Sequence, residues 1–535
     1  MKTMISSIIL ASCLALPLAS CSDSDVASEQ KDWSTTTYFY SADAAMQDTY
    51  YKPTVGYVGD PMPFFDPVAG DFKVLYLQDF RPNPEGTYHP IWGVSTKDAA
   101  HYTSLGELVA CGTKKSQDAA IGTGSTIYDE ASKLYYTFYT GNKYLPTGDE
   151  SAQAVMVATS PDFKTWTKDR TFLLKGQDFG YDKNDFRDPF VFKGDDGKFH
   201  MLISTKKGGK GSLAEFVSDD LKNWTDNGVF MTMMWDRFYE CPDLFKMGDY
   251  WYLVYSEIHH AVRRVQYFKG RTLDELKACT ANDVARWPDA HEGFLDSRGL
   301  YAGKTASDGT NRYLWGWCPT RSGKDNTAVG ASPAEPEWGG NLVCYKLIQH
   351  EDGTLTLGQV DAVSEKYNQD VAVEVKESQN MTEADGTYTL AGSVEQPDAY
   401  MLMGRLGSHN KISFTVTTSN EWDKFGISMV RGSDSKKYYT MVVNPENENN
   451  RKVNFEEQGV EGKGFIAGID GYVFARPADN VYNITIYTDN SICVMYINDV
   501  CSYTNRIYGI QKNCWSIDSF NGANVKVSNL KISQY

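Results

Sequence analysis

Along most of the chain, short apolar runs alternate with turns rich in Asp and Gly, and the pattern repeats. Five segments share it: GDPMPFFDPVAGDFKVLYLQ from Gly59, GSTIYDEASKLYYTFYTG from Gly124, RDPFVFKGDDGKFHMLIST from Arg187, CPDLFKMGDYWYLVYSE from Cys241 and YAGKTASDGTNRYLWGW from Tyr301. With the first and third begun at their Asp-Pro pairs, the repeats start at 60, 124, 188, 241 and 301, giving gaps of 64, 64, 53 and 60 residues. Each unit is long enough for one four-stranded sheet. The later half of the unit also recurs, in Ser160-Pro-Asp-Phe-Lys-Thr-Trp166, in Ser218-Asp-Asp-Leu-Lys-Asn-Trp224 and in a weaker copy, Ser95-Thr-Lys-Asp98. These read as hairpin turns in which Asp bonds backbone amides and Trp packs between neighbouring sheets. Sheets set radially bury both faces and keep their edges short, so the spacing predicts an all-β chain whose residues 46–355 form a five-bladed β-propeller. A β-sandwich built from the same strands would not impose so regular a spacing.

The repeat fades near 355–375, in the polar stretch Glu351–Glu374. Beyond it, Ile427–Val430 and Tyr438–Val443 flank Gly432-Ser-Asp-Ser435, and Ile484–Tyr487 and Ile492–Ile497 flank Asp489-Asn-Ser491, each a hairpin pattern. Residues 366–535 are therefore expected to form a C-terminal β-sandwich. At the other end, Lys2 and the apolar run Ile8–Leu18 read as a signal peptide over 1–20, too short to span a bilayer. Leu18-Ala-Ser-Cys21 resembles a bacterial lipobox, which implies cleavage before Cys21 and lipid on its thiol; ordinary secretory cleavage is the alternative. The following Ser-Asp-Ser-Asp resembles the acidic tag of surface-exposed lipoproteins of the Bacteroides group. With 21–45 as a polar tether, the expectation is an outer-membrane lipoprotein on the cell surface, or alternatively the periplasmic face. It would be a monomer that meets the membrane through its lipid alone.

Composition narrows the function. A hydrophobic fraction of 41% over 535 residues supports sizeable cores and excludes disorder. Aromatic residues make up 13%, which suits strands and the apolar faces of sugar rings. A net charge of −17 repels phosphate backbones, so no nucleic-acid partner is expected. No CxxC occurs among the cysteines, which read mostly as small buried hydrophobes. His259-His260 has no carboxylate at ligand spacing, and KKGGKG at 206–211 lacks the ending of a phosphate loop, so neither a metal nor a cofactor is expected.

In a propeller the innermost strands line the central channel, and their first residues reach its mouth. Asp60 and Asp188 open the first and third repeats, and Glu240 stands just before the fourth. Three carboxylates in one funnel repel each other, which raises the proton affinity of one and leaves another ionised, as acid and nucleophile require. Paired carboxylates are the machinery of glycoside hydrolysis. Arg187, next to Asp188, adds a donor fork for sugar hydroxyls.

At these residues the chain resembles glycoside hydrolase family 32, the fructan and sucrose hydrolases. The resemblance lies in FRDP at 186–189, ECPDLF at 240–245, YTGN at 139–142 and NITIYTDNSICVMYINDVCSYTNRIYG at 483–509, with GDPMPF at 59–64 a degraded copy of the signature NDPNG. It implies a retaining hydrolase of β-fructosidic bonds in levan, inulin or related fructosides, with an oligo- or polysaccharide as substrate. Asp60 would be the nucleophile, Glu240 the acid/base and Asp188 a transition-state stabiliser. Gln78, Trp92, Thr123 and Ser125 would bind substrate, although Gly122 replaces a Trp of the family. Gly59, Met62 and Pro63 replace polar neighbours of the nucleophile, which implies weak activity on sucrose. The alternatives are a related propeller furanosidase for a sugar such as arabinan, and a non-catalytic surface glycan-binding protein.

Overall fold

The computed structural model describes residues 49–535 other than 81–87, 234–235, 258–263, 280–292, 322–335, 432–436, 445–451 and 457–471. Cys21, the tether, His259-His260 and the turn at 432–435 lie outside those residues. Strands dominate and run as consecutive antiparallel meanders. Their inner strands are Tyr57–Asp66, Ala120–Asp129, Phe186–Lys193, Glu240–Met247 and Tyr301–Ser307. Each inner strand touches the next, and the last touches the first, so they close a ring around a channel. The first inner strand also bonds Pro336–Gln349 of the last meander, through Val58 and Gly340. This closure leaves only short edges exposed.

The recurring turns behave as their sequence implies. Asp162 Oδ1 accepts the amides of Lys164 and Thr165, and Asp220 Oδ1 those of Lys222 and Asn223. In the weaker copy Asp98 Oδ1 accepts Ala100 and His101. The residue after each Asp, namely Phe163, Leu221 or Ala99, takes positive φ, so all three turns share one geometry. Trp224 of one sheet meets Phe138 of the neighbouring sheet edge-on at 5.6 Å. KKGGKG is the tip of a tight hairpin, with Gly208 and Gly209 both at positive φ as a type I′ turn requires.

The fifth meander ends at Leu355–Gly358, and the short helix Asp361–Lys366 leads into two packed sheets. The strand His409–Thr418 alternates buried and half-buried residues throughout, and its inward Ile412, Phe414 and Val416 meet Ile427, Met441 and Trp515 in the core between the sheets. Both expected hairpins form, with Ile427 opposite Met441 and Ile486 opposite Met495. The eight cysteines beyond Cys21 are unbridged, and five of them are buried.

Sandwich and propeller are joined by buried polar groups. Asp296, 1% exposed, accepts the Thr504 amide and the hydroxyls of Ser502 and Thr504, each at 2.8 Å. Arg506 donates to the carbonyls of Cys318 and Pro319 and to Asn341 Oδ1. A charged group bonded in this way contributes strongly because its removal orphans every acceptor. Replacing Arg506 with Met should lower stability by about 3 kcal/mol, measured by denaturant unfolding, and should split the melting transition as the two units uncouple. A single transition at the parental midpoint would show that the joint is not held by this residue.

Candidate active site

Every inner strand slips in its ladder at the same level. The register shifts between Gly59 and Met62, between Gly122 and Gly124, opposite Arg187 and Phe190, between Glu240 and Asp243, and between Tyr301 and Lys304. At four of these bulges a residue other than Gly takes positive φ: Asp60 at 23°, Asp188 at 57°, Cys241 at 51° and Ala302 at 51°. A bulge bends the strand and re-aims its side chains, suspending the usual alternation. Glu240 therefore reaches the same funnel as Asp60 and Asp188, although it stands one position earlier in its own repeat.

Donors from other strands, most of them in neighbouring sheets, hold the acids. Thr123 Oγ1 donates to Asp60 Oδ2 at 2.6 Å, and Trp317 Nε1 donates to Asp60 Oδ1 at 3.1 Å. The Cys241 amide donates to Asp188 Oδ2 at 3.0 Å, while the amide of Asp188 itself donates to Thr140 Oγ1 at 2.9 Å. Arg187 Nη2 donates to Glu240 Oε1 at 3.0 Å, and the Tyr301 hydroxyl donates to Glu240 Oε2. Arg187 also bonds Asp185 at 2.7 Å and lies 3.7 Å over the Phe238 ring. Its fork is thus engaged by acids, and it orients Glu240 where the sequence suggested a contact to sugar hydroxyls.

Electrostatics follow from this crowding. Burial pushes the Asp188 carboxyl up to about 6, with the charges of Glu240 and Asp60 adding to the rise and Arg187 and the Cys241 amide opposing it. Beneath the acids, Lys304 is 2% exposed and donates to the Gly124 carbonyl at 2.7 Å. Burial lowers its proton affinity, while Cys241, Asp243, Asp188 and Asp60 work the other way.

The remaining sequence candidates are placed differently. Gln78 is fully buried and bonds the Val55 carbonyl, and Trp92 packs edge-on to Phe80 in the core. Ser125 ties two sheets together, donating to the Pro189 carbonyl and accepting the Val191 amide, both at 2.9 Å. Only Thr123 of the four bonds an acid. Tyr301, Trp317 and Lys304 were not singled out from sequence, although Tyr301, like Glu240 and Arg187, stands directly before the residue of its inner strand that takes positive φ. A Cβ on Gly59 would lie 2.2 Å from the Trp338 ring, so the Asn of the family signature has no room there. Trp338 stacks on His89 at 4.1 Å and meets Trp317 at 5.9 Å, which makes an aromatic wall beside Asp60.

Residues 50–360 match the family described as glycosyl hydrolases family 32 N-terminal domain, and residues 353–532 match GH32, BT1760-like, C-terminal domain. The chain belongs to glycoside hydrolase family 32. Among curated relatives of this family 32 chain is the beta-fructofuranosidase, insoluble isoenzyme CWINV2, of Arabidopsis thaliana, 26% identical over 310 residues, covering 52% of this chain and 50% of that protein. The sucrose-6-phosphate hydrolase of Escherichia coli is 27% identical over 219 residues, covering 39% and 43%. The chain thus spans about half the length, or less, of the curated relatives it matches. The fold is shared with fructan 1-exohydrolase IIa from Cichorium intybus, with a TM-score of 0.69 at 16% identity over 91% of this chain and 97% of that one. It is shared also with sucrose-6-phosphate hydrolase from Lactobacillus gasseri, with a TM-score of 0.65 at 19% identity over 92% and 95%.

The raised Asp188 makes a stability prediction. A carboxyl that titrates near 3.8 when unfolded and near 6 when folded favours the native state below both values, and that contribution is lost as pH rises through about 6, a change of roughly 3 kcal/mol. Asp188→Asn should therefore melt higher than the parent at pH 7, with the gap closing towards pH 4. Equal melting differences at both values would contradict the buried-charge assignment.

Proposed function

We propose that this chain is a retaining glycoside hydrolase that cleaves β-fructosidic bonds in fructans or related fructosides. The observation that carries the reading is the convergence of Asp60, Asp188 and Glu240, each fixed by a donor from another sheet of the ring. The Arabidopsis relative named as a beta-fructofuranosidase and the solved fructan exohydrolase support the sugar class.

In the first step an Asp60 oxygen attacks the anomeric carbon, the bond to the leaving oxygen breaks, and the carboxyl proton of Glu240 goes to that oxygen. In the second step Glu240 takes a proton from water, whose oxygen displaces Asp60 and restores its carboxylate. Thr123 and Trp317 aim Asp60 at the ring, and Tyr301 and Arg187 hold both oxygens of Glu240. Asp188 accepts hydrogen bonds from sugar hydroxyls, which strengthen as the ring flattens. The aromatic wall of Trp338 in place of a polar neighbour at Gly59 supports a preference for fructan over sucrose.

Incubation with levan, inulin, sucrose and arabinan should release fructose or its oligomers fastest from a fructan and slowly from sucrose. NMR of early products should show the retained anomer, and Asp60→Asn should lose turnover by at least 10³-fold. An inverted product would remove Asp60 as nucleophile, and no product from any sugar would favour a glycan-binding role.

The same reading places the enzyme on a membrane face, held through lipid on Cys21, where long glycans are met. Cys21→Ala should move the protein from the membrane pellet to the soluble fraction; an unchanged pellet would refute the anchor.

A further inference from the structure

Lys304 is a buried cation that the two-step reaction leaves unused. It stands just past the bulge of the fifth inner strand, where the register shifts between Tyr301 and Lys304 and Ala302 takes positive φ. That bulge re-aims the side chain. The fifth inner strand has the first and fourth as its neighbours in the ring. Even so, the Lys304 ammonium donates to the Gly124 carbonyl of the second at 2.7 Å and lies 5.3 Å from the Phe190 ring of the third. It thus crosses the channel. At 2% exposure it has left water, and this carbonyl is its one hydrogen-bond acceptor among the described residues.

An ammonium so placed is costly unless anions compensate it. The groups that do so come from three strands: Asp60 from the first, Asp188 from the third, and Cys241 and Asp243 from the fourth. Two of the four have other ties. Burial and the charges of Asp60, Asp188 and Glu240 push the Cys241 thiol up, so it keeps its proton, while Asp243 also faces Arg312 and accepts the Thr305 amide at 2.7 Å. Arg187, the cation at the level of the acids, faces Asp188, Glu240 and Asp185. Asp60 is faced by Asp188, Cys241 and Lys304, and by the neutral donors Thr123 and Trp317. An opposite charge nearby favours the ionised form of a carboxyl, and a like charge opposes it.

We propose that Lys304 is a positioning residue for the reaction, a fixed counter-charge that reaches across the channel and holds Asp60 in the ionised form that attacks. The proposal rests on the hydrolase reading for the role of Asp60. Asp188 repels the charge on Asp60, and Lys304 answers it from beneath without touching the sugar.

The test compares the full chain with Lys304→Gln, which keeps an NH2 for the Gly124 carbonyl but no charge, and with Lys304→Met, which drops both. In the pH profile of kcat/KM on a fructan, the acid limb should move up by about one pH unit in both variants. The alkaline limb should move less, since Glu240 is bound by Arg187 and Tyr301. Carbon NMR of the Asp60 carboxyl, assigned by its loss in Asp60→Asn, should show the same upward move without any need for turnover. Rates lowered equally at every pH, with the acid limb and the Asp60 titration in place, would reduce Lys304 to a packing role and overturn the proposal. Nitrogen NMR of the lysine side chains in the parent chain supplies a measurement that no variant can spoil by misfolding. Lys304 should be an ammonium between pH 5 and 7, and a neutral amine there would also overturn the proposal. The two readings fail separately. A parent that releases no sugar from any fructan, while the Asp60 titration still moves in the variants, would sink the hydrolase reading alone. Hydrolysis with an unmoved acid limb would sink the role of Lys304 alone.

Discussion

Three carboxylates gathered in one funnel repel each other, and the ring keeps them together by supplying each with at least one donor from across a sheet boundary. Asp60 is held by Thr123 and Trp317, Asp188 by the Cys241 amide, and Glu240 by Arg187 and Tyr301. No acid is held by its own inner strand alone. The site therefore exists only when the ring is closed, and closure and charge placement are one constraint.

That constraint reaches into the sandwich. Trp317, the donor to Asp60, is followed by Cys318 and Pro319, whose carbonyls are fixed by Arg506. Asp296 makes the reciprocal connection, from the propeller to Ser502 and Thr504. These bonds are buried and charge-assisted, so they fix geometry more sharply than apolar contact would. The sandwich thus bonds the same strand that carries Trp317, one residue from the donor to Asp60.

Local departures from the family signature also have a physical cause in the packing. At Gly59, before Asp60, the Trp338 ring occupies the space that any side chain would need. Met62 turns into the core and its sulfur accepts the Gly124 amide. Loss of polar neighbours on one side of Asp60 is matched by the aromatic surface of Trp338, His89 and Trp317, and the acids stay in place.

How much of this was legible beforehand depended on periodicity. The sequence by itself determined the meander repeat, the Asp-led turns and the three acids, because each is a local pattern that returns at nearly equal intervals. It also determined the sandwich hairpins, whose alternation is visible within a few residues. Only the tertiary structure decided which donors hold which acid, because Trp317 and Asp60 are 257 residues apart and such pairs leave no periodic trace. It also moved Ser125 to a sheet joint and Gln78 to the interior, and it gave Arg187 to Glu240. A side chain's role there depends on what the next sheet brings opposite it, and that is set by ring closure and by the bulges, not by the chain's own order.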